Sequence, residues 1–432
     1  MTTISDFTLQ VITADNPWLE GGDVQKWQAR FLPECYIPRS VNFESGRRVC
    51  LVVGPRQAGK STLIWKTMAE SARPCLYINC EEPAVRQWLS SPASFLVDID
   101  GLVEKNTPVF FDEIQFLQEA GLFLKGIVDR RTDHSFYATG SSAFDLESRT
   151  GESLAGRAHR HLLLPLSLEE VCFNIRGAPA LSRKKVASRL ERLLLYGGYP
   201  PVYTSQNPER ELIGLVESFV IRDASDRLKI RHPAAFRKIM ELCSSQIGSL
   251  CNFSEWAAIA GISNDSVREY AGILENTHII RLIRPYVGGK RAEITSAPKA
   301  YFLDNGIRNQ IFGGFTSYSG RPDRGAVLEN FVFTELYKAI NPLLNSIRFW
   351  RSKSGAEVDF VLEHRGIISG WEVKAGDAMG KITRSSRSFI DAYQPECFFV
   401  VNKTEHTKQT IGKTRIFFIR PEQVGGSISR CC

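Results

Sequence analysis

The chain has 432 residues, of which 43% are hydrophobic and 23% are charged, with a formal net charge of +7. These values are typical of a folded globular protein with room for about two to four domains. No apolar run approaches the roughly 18 residues of a transmembrane helix, and the N-terminus shows no basic region followed by an apolar one. We therefore expect no membrane contact, no signal peptide and a cytoplasmic location. The positive charge is a mild indication of polyanionic partners, nucleotides included.

Residues 1–42 are predicted to form an N-terminal lead-in segment. Residues 49–53 then read as a buried parallel strand, and residues 62–70 as a helix. The helix starts at the end of the loop that follows the strand. Its N-terminus therefore offers free backbone N–H groups to an anion bound at that loop.

The connecting loop fits the phosphate-binding pattern G-x-x-x-x-G-K-S/T. Its residues are Gly54, Pro55, Arg56, Gln57, Ala58, Gly59, Lys60, Ser61 and Thr62. Glycines let successive N–H groups turn towards a phosphate that a Cβ atom would otherwise block. Lys60 is expected to reach the β- and γ-phosphate oxygens, and the Ser61 hydroxyl to bind Mg²⁺. The alternative, an ordinary glycine-rich turn, does not account for the strand before and the helix after.

Four further buried strands are predicted after the loop, at residues 75–79, 108–113, 135–142 and 161–165. Alternation of strands with helices favours a parallel sheet with crossover helices. The sequence thus predicts an α/β class with a P-loop ATPase core over residues 43–167.

Asp112 and Glu113 follow four apolar or near-apolar residues at the end of the third strand. Asp112 is expected in the Mg²⁺ shell, and Glu113 is expected to polarise the water that attacks the γ-phosphate. A solvated acidic turn is the alternative. Ser141, at the end of the next strand, would orient that water or cap a helix. Arg157 would neutralise transition-state charge, in its own chain or from a neighbouring subunit, unless it is a plain surface arginine.

The second half reads as three segments. Residues 168–231 are predicted to be helical and lid-like, and residues 232–295 to be winged-helix-like. The wing strand and the bend after it carry a basic set that would meet nucleic-acid phosphates: Arg281, Arg284, Lys290 and Arg291. DNA contact and a structural or protein-contact role both remain open for this segment.

The last segment, residues 296–432, carries a second set of charged residues. Asp359 lies on one predicted strand, and Glu372 and Lys374 lie on one face of the next. Glu329 lies on the preceding helix. Carboxylates and a lysine around one point can hold Mg²⁺ and activate water against a phosphodiester. The spacing D-x(12)-E-x-K resembles the core of PD-(D/E)XK nucleases, although acidic and basic residues alternate on many exposed strands. Both a catalytic site and a non-cleaving binding fold remain open.

Over nearly its whole length the chain resembles prokaryotic AAA-type ATPases that carry a C-terminal domain of unknown function. One departure is Ser61, where threonine is common; either hydroxyl serves Mg²⁺. The resemblance implies ATP and Mg²⁺ as ligands. Its motifs lie at residues 54–61, 111–115, 139–142, 154–157, 164–167, 197–200 and 299–304, and around Asp359 and Glu372.

The leading hypothesis is a Mg²⁺-dependent ATPase coupled to a DNA-associated, nuclease-like C-terminal half. The alternative is a nucleotide-dependent switch or scaffold whose C-terminal domain binds nucleic acid or protein without cutting. ATP is the expected ligand in both cases. DNA, a protein partner and further copies of the chain are the candidate partners.

Overall fold

A computed structural model describes residues 4–23, 27, 30–41, 46–71, 74–140, 154–218, 230–287, 296–340, 345–364 and 366–430. The chain divides into two compact units, Met1–Leu164 and Pro165–Cys432. In the described ranges, we find no helix with both the length and the apolar character needed to cross a membrane.

The first unit is built on a parallel sheet of five strands in the order β2-β3-β4-β1-β5. This confirms the predicted α/β class. The strands are β1 (Val49–Val53), β2 (Leu76–Asn79), β3 (Pro108–Asp112), β4 (Ser135–Gly140) and β5 (Ala158–Leu162). The described helices of the unit are α1 (Asp6–Asp15), α2 (Lys60–Glu70), α3 (Pro83–Trp88), α4 (Pro92–Leu102) and α5 (Ala120–Asp129).

The fifth strand differs from its predicted position of residues 161–165. It begins at Ala158 and ends at Leu162, and all five of its residues are half-buried at the sheet edge. The apolar residues that suggested the later position, among them Leu163 and Leu164, are buried in the segment after the strand.

Side chains alternate between two apolar layers on the two faces of this sheet. Leu76, Val109 and Phe136 belong to one cluster. Tyr77, Phe110 and Tyr137, the next residue of each strand, belong to the other cluster, which also contains Ile64 of α2. The second face is therefore the one that the phosphate-loop helix covers.

The second unit begins with helices. Its described helices are α6 (Leu168–Val171), α7 (Pro179–Tyr196), α8 (Pro200–Thr204), α9 (Pro208–Glu217), α10 (Pro233–Ser245), α11 (Phe253–Ala260), α12 (Asn264–Asn276), α13 (Asn305–Phe312), α14 (Arg324–Ala339), α15 (Arg384–Tyr393) and α16 (Val424–Ser427). An antiparallel pair, β6 (Ile280–Ile283) and β7 (Lys299–Phe302), follows α12.

The winged-helix assignment stays a prediction. Helices α10 to α12 and the β6–β7 pair occupy the expected positions. Within the basic wing, Arg281 forms an ion pair with Glu275 at 3.3 Å. Lys290 and Arg291 lie outside the described residues.

The end of the second unit is a six-stranded mixed sheet in the order β12-β13-β11-β10-β9-β8. Its strands are β8 (Ser346–Arg351), β9 (Glu357–His364), β10 (Ile367–Val373), β11 (Cys397–Val401), β12 (His406–Ile411) and β13 (Thr414–Ile419). β9 pairs antiparallel with both β8 and β10, whereas β11 pairs parallel with both β10 and β13. Phe389 of α15 packs on Phe398 of β11, and Phe333 of α14 packs on Phe360 of β9.

Candidate functional site

The phosphate loop joins β1 to α2, and two of its glycines occupy positions that do not suit a larger residue. A Cβ atom on Gly54 would lie 2.1 Å from the Leu163 carbonyl oxygen. Gly59, which precedes α2, has φ 93°, in the left-handed region that favours glycine. Arg39 braces the loop by donating hydrogen bonds to the carbonyls of Ala58, at 2.7 Å, and Leu164, at 2.5 Å. Close packing at Gly54 and the hydrogen bonds of Arg39 thus fix the backbone of the loop.

Lys60 is buried at the start of α2, with 4% of its surface exposed. Its ammonium donates to the carbonyl oxygens of Pro55, at 2.8 Å, and Gly54, at 3.1 Å. Burial lowers the pKa of Lys60 to about 8, although the nearby charges of Glu113 and Asp112 oppose the shift. The loop therefore holds a cation at the place where phosphate charge is expected.

Asp112 ends β3 on the α2 side of the sheet and is the centre of a hydrogen-bond network. Ser61 donates to Oδ1 at 3.1 Å, and Tyr77 donates to Oδ2 at 2.8 Å. Thr139 also donates to Oδ1. Burial raises the pKa of this carboxyl, and the three hydroxyl donors oppose that effect. Because Ser61 gives its proton to Asp112, its lone pairs remain available to a cation, which fits the predicted Mg²⁺ role.

Glu113 has a left-handed backbone, with φ 54°. Its N–H donates to the Thr139 hydroxyl at 3.1 Å, so Thr139 contacts both members of the acidic pair. The Gln115 amide donates to the Glu113 carboxylate. Left-handed backbone in a glutamate is strained, and such positions cluster at functional sites.

Tyr77, Thr139 and Gln115 are not among the site residues that the sequence predicts. Alternation was the available signal: Tyr77, Thr139 and Asp112 have side chains on the same sheet face, on neighbouring strands. Ser141, the residue chosen instead for water orientation, lies outside the described residues.

Arg157 lies far from the phosphate loop of its own chain. The Arg157 carbonyl accepts a hydrogen bond from the N–H of Val49, the first residue of β1. Gly54, the first residue of the phosphate loop, follows the last residue of that strand. The five residues of β1 span roughly 16 Å, more than an arginine side chain covers. Arg157 instead forms an ion pair with Asp129 at 2.6 Å, and both side chains are partly exposed. Of the interpretations left open by the sequence, a role in its own chain does not fit this position, whereas a role towards a neighbouring subunit and a plain surface arginine both do.

In the second unit, Asp359 lies in a bulge of β9. Arg348 pairs with Val361 and Trp350 pairs with Val358, so β9 contains one extra residue in this interval. Bulges redirect side chains. The Asp359 carboxylate accepts a hydrogen bond of 2.7 Å from the backbone N–H of Val373, between Glu372 and Lys374.

Glu372 and Lys374 lie together, as alternation along β10 predicted, with Nζ 2.7 Å from Oε1. Ser386 of α15 donates to the other Glu372 oxygen at 3.2 Å. Burial lowers the pKa of Lys374, but the hydrogen bond and charge of Glu372 outweigh it and leave the pKa above its ordinary value. A cavity of about 350 Å³ opens beside this pair, lined also by Lys381 and Thr383.

Glu329 approaches the same region from α14. Its carboxylate accepts a hydrogen bond of 2.6 Å from the Tyr301 hydroxyl. Burial raises the pKa of Asp359 well above its ordinary value, and the charges of Glu329 and Glu372 raise it further. Lys299 of β7 forms an ion pair with Glu357. Its positive charge acts to lower the pKa of both Glu329 and Asp359, against the effect of burial. All four predicted residues therefore lie within electrostatic reach of one another.

Among the described residues, the carboxylates of Glu329, Asp359 and Glu372 do not form a preformed metal site. Across the part of the chain that the structure describes, no group of three or more His, Cys, Asp or Glu side chains is arranged to hold a metal ion. Sequence reasoning missed Lys299 and Tyr301 here, although the motif at residues 299–304 contains both.

Comparison with known families bears on the first unit. Residues 46–172 match a family model described as an AAA domain, which covers the phosphate loop and the Asp112–Glu113 pair. The match supports a P-loop ATPase domain over this region. It also supports nucleotide binding by this region.

The regions after the AAA-domain match also match family models, whose descriptions name no activity. Residues 187–318 match a domain of unknown function, DUF8612, and residues 324–420 match another, DUF4143. Neither match shows the predicted nuclease resemblance. Glu329, Asp359, Glu372 and Lys374 all fall in the second of these regions.

Two relatives that match most of the chain are described as uncharacterized proteins. Proteins from Mycobacterium tuberculosis and Mycobacterium bovis are each 29% identical over 365 residues, which is 83% of this chain and 77% of theirs. Among solved structures, a Walker-type ATPase of Pyrococcus abyssi aligns over 61% of this chain and 90% of its own. That alignment has 16% identity and a TM-score of 0.39.

Proposed function

We propose that the first unit binds and hydrolyses ATP with Mg²⁺. One observation supports this most directly: the Ser61 hydroxyl, at the start of the phosphate-loop helix, donates to the buried carboxylate of Asp112, with Glu113 next in the chain. A phosphate-loop hydroxyl and a strand-end carboxylate are the oxygen ligands that a magnesium–nucleotide site requires.

The residues around the phosphate loop have separate roles in ATP binding and hydrolysis. Backbone N–H groups of the loop and of the α2 N-terminus bind phosphate oxygens, and Lys60 places a positive charge beside them. Ser61 and Asp112 would hold Mg²⁺, which when bound neutralises negative charge on the phosphates. Glu113 polarises the water that attacks the γ-phosphate and accepts the proton which that water loses. Arg157 fits a role in a neighbouring copy of the chain, where it would stabilise transition-state charge.

Release of phosphate from ATP by the purified protein, with and without Mg²⁺ and DNA, tests the proposal. Steady Mg²⁺-dependent turnover supports the enzyme, and stimulation by DNA supports coupling to a DNA-associated C-terminal half. Tight nucleotide binding with negligible turnover would support the alternative, a nucleotide-dependent switch or scaffold.

A second candidate function belongs to the C-terminal sheet: a metal-dependent site acting on phosphodiesters. The observation in its favour is that Asp359, redirected by the β9 bulge, reaches the backbone between Glu372 and Lys374. Two carboxylates would hold the cation there, and Lys374 would steady charge on the scissile phosphate.

Cleavage of single- and double-stranded DNA, measured with Mg²⁺ or Mn²⁺, tests this second function. Asp359→Asn and Lys374→Ala are expected to abolish cleavage. Glu363→Gln is the matched control because Glu363 lies on the same strand, is exposed and pairs with Arg348 at 3.7 Å. Cleavage that persists in Lys374→Ala would point to another site or to a contaminant. A folded protein that binds DNA and cuts none would leave a binding module.

A further inference from the structure

Tyr77 is a buried tyrosine on β2, the edge strand of the first unit's sheet. Its hydroxyl donates to Oδ2 of Asp112 across the boundary between β2 and β3, at 2.8 Å. The other Asp112 oxygen receives Ser61 and Thr139. Tyr77 is therefore the described donor that fixes the far side of the carboxylate.

Asn16 fixes the backbone of this same tyrosine. Its side-chain amide donates to the Tyr77 carbonyl at 2.7 Å and accepts from the Tyr77 N–H at 2.6 Å. This pair of bonds replaces the neighbouring strand that an edge position lacks. Asn16 also donates to the Ile12 carbonyl in α1 at 2.8 Å, and Asn16 and Ile12 are both buried. The N-terminal helix is thus hydrogen-bonded through one amide to the strand that carries Tyr77.

We propose that Tyr77 is a positioning residue for Asp112 and that the N-terminal helix, through Asn16, is part of the magnesium–nucleotide site. The inference rests on the proposed function of the first unit. It assigns to residues 6–16 a role beyond that of a lead-in: they set the position of β2 and, through Tyr77, the plane of the carboxylate that faces Mg²⁺.

The physical reason is geometric. A carboxylate with donors on one oxygen can rotate about its Cβ–Cγ bond, whereas donors on both oxygens hold its plane. Outer-shell partners of this kind typically contribute 10- to 100-fold to metal affinity or activity. Removing the Tyr77 hydroxyl leaves the phosphate loop, Lys60 and Glu113 unchanged, so we expect the loss in metal dependence rather than in nucleotide contact.

A purely structural role for Tyr77 predicts something else. Tyr77 belongs to an apolar cluster with Tyr137 and Phe110, and Tyr137 stacks on Phe110 at 4.6 Å between ring centres. If Tyr77 only filled this layer, Tyr77→Phe would retain the ring and change nothing specific to metal. Tyr137→Phe is the matched control, since it removes the same atom from the same layer without touching Asp112.

The test is the Mn²⁺ affinity of the ADP-loaded full-length protein, measured by electron paramagnetic resonance, beside the Mg²⁺ dependence of ATP turnover. We expect Tyr77→Phe to weaken Mn²⁺ binding and raise the half-saturating Mg²⁺ concentration by roughly 10- to 100-fold. Metal-free nucleotide binding should stay close to that of the wild type, and Tyr137→Phe should resemble the wild type in every readout. Asn16→Ala should also weaken Mn²⁺ binding and raise the half-saturating Mg²⁺ concentration. In the double variant, the loss of Mn²⁺ binding free energy should be smaller than the sum of the losses in the two single variants.

An unchanged Mn²⁺ affinity in folded Tyr77→Phe would overturn the positioning role. An unchanged affinity in folded Asn16→Ala would overturn the role of the N-terminal helix. If Tyr77→Phe failed to fold, the Mn²⁺ affinity of Asn16→Ala would test the contacts that run from Asn16 through Tyr77 to Asp112. A wild-type protein that binds ADP and Mn²⁺ but hydrolyses no ATP would contradict the proposed hydrolysis, while the Mn²⁺ comparison would still decide this inference.

Discussion

Gln115 donates a side-chain hydrogen bond to the carboxylate of Glu113, two residues before it. The chain turns at Glu113, whose backbone is left-handed and whose N–H donates a hydrogen bond to the Thr139 hydroxyl. The position of the carboxylate is therefore set from both sides, by a neighbouring strand and by the turn itself. A group held in this way is suited to aim at one attacking water.

We predict that Glu113→Gln slows ATP hydrolysis by about 100-fold or more and leaves ATP bound. An amide keeps the size of the side chain but does not accept a proton, and general-base contributions are of this order. Single-turnover hydrolysis and filter binding of ATP measure the two effects. Hydrolysis at the wild-type rate would mean that another group, with Ser141 the first to examine, activates the water.

ATP affinity should fall as pH rises from 7 to 9. Burial lowers the pKa of Lys60 to about 8 against the opposing charges of Glu113 and Asp112, so above pH 8 the free protein must take up a proton when phosphate binds. One pH unit beyond that pKa corresponds to about a ten-fold loss. Calorimetry in buffers of different ionisation enthalpy should show proton uptake near one at pH 9 and near zero at pH 7.

Lys60→Arg is the control for this pH dependence, because arginine stays charged throughout the range. Its ATP affinity should be weaker and flat between pH 7 and 9. An equally steep fall in this variant would assign the titration to a different group.

Arg157→Ala should reduce turnover by roughly 10³-fold if the arginine completes the site of a neighbouring copy. Mixing it with Lys60→Ala should then restore part of the activity, since intact loops from one variant meet intact arginines from the other. Arg130→Ala is the control: Arg130 follows α5 directly after Asp129 and contacts the Gly126 carbonyl. Full turnover in Arg157→Ala, or no restoration on mixing two inactive variants, would contradict the role between copies.

Asp359→Asn should raise the melting temperature of the metal-free protein by a few degrees. Burial raises the pKa of Asp359, and the charges of Glu329 and Glu372 raise it further, so its ionised form is costly in the folded state. Mg²⁺ should stabilise the wild type and leave the variant unaffected. Calorimetric scans with chelator and with Mg²⁺ measure both effects; equal stabilisation of the two proteins would remove Asp359 from any metal site.

The phosphate loop and the acidic pair could be predicted from the sequence because each is a short run of neighbouring residues. Glu372 and Lys374 were also predictable, since a spacing of two on a strand places side chains on one face. Tyr77 was not, because its contact with Asp112 depends on β2 lying beside β3, which sequence patterns do not specify. β5 was placed three residues late at its start because its half-buried edge residues, Ala-His-Arg-His-Leu, lack an apolar run.

Steady-state phosphate release by the wild type, Lys60→Ala and Lys66→Ala measures whether this phosphate loop hydrolyses ATP. Lys66 lies on the same helix and pairs with Glu70 at 3.0 Å, so its removal changes charge without touching the loop. We predict Mg²⁺-dependent turnover that falls by about 100-fold or more in Lys60→Ala and by less than about two-fold in Lys66→Ala. Turnover in Lys60→Ala at the wild-type rate would contradict ATP hydrolysis at this phosphate loop.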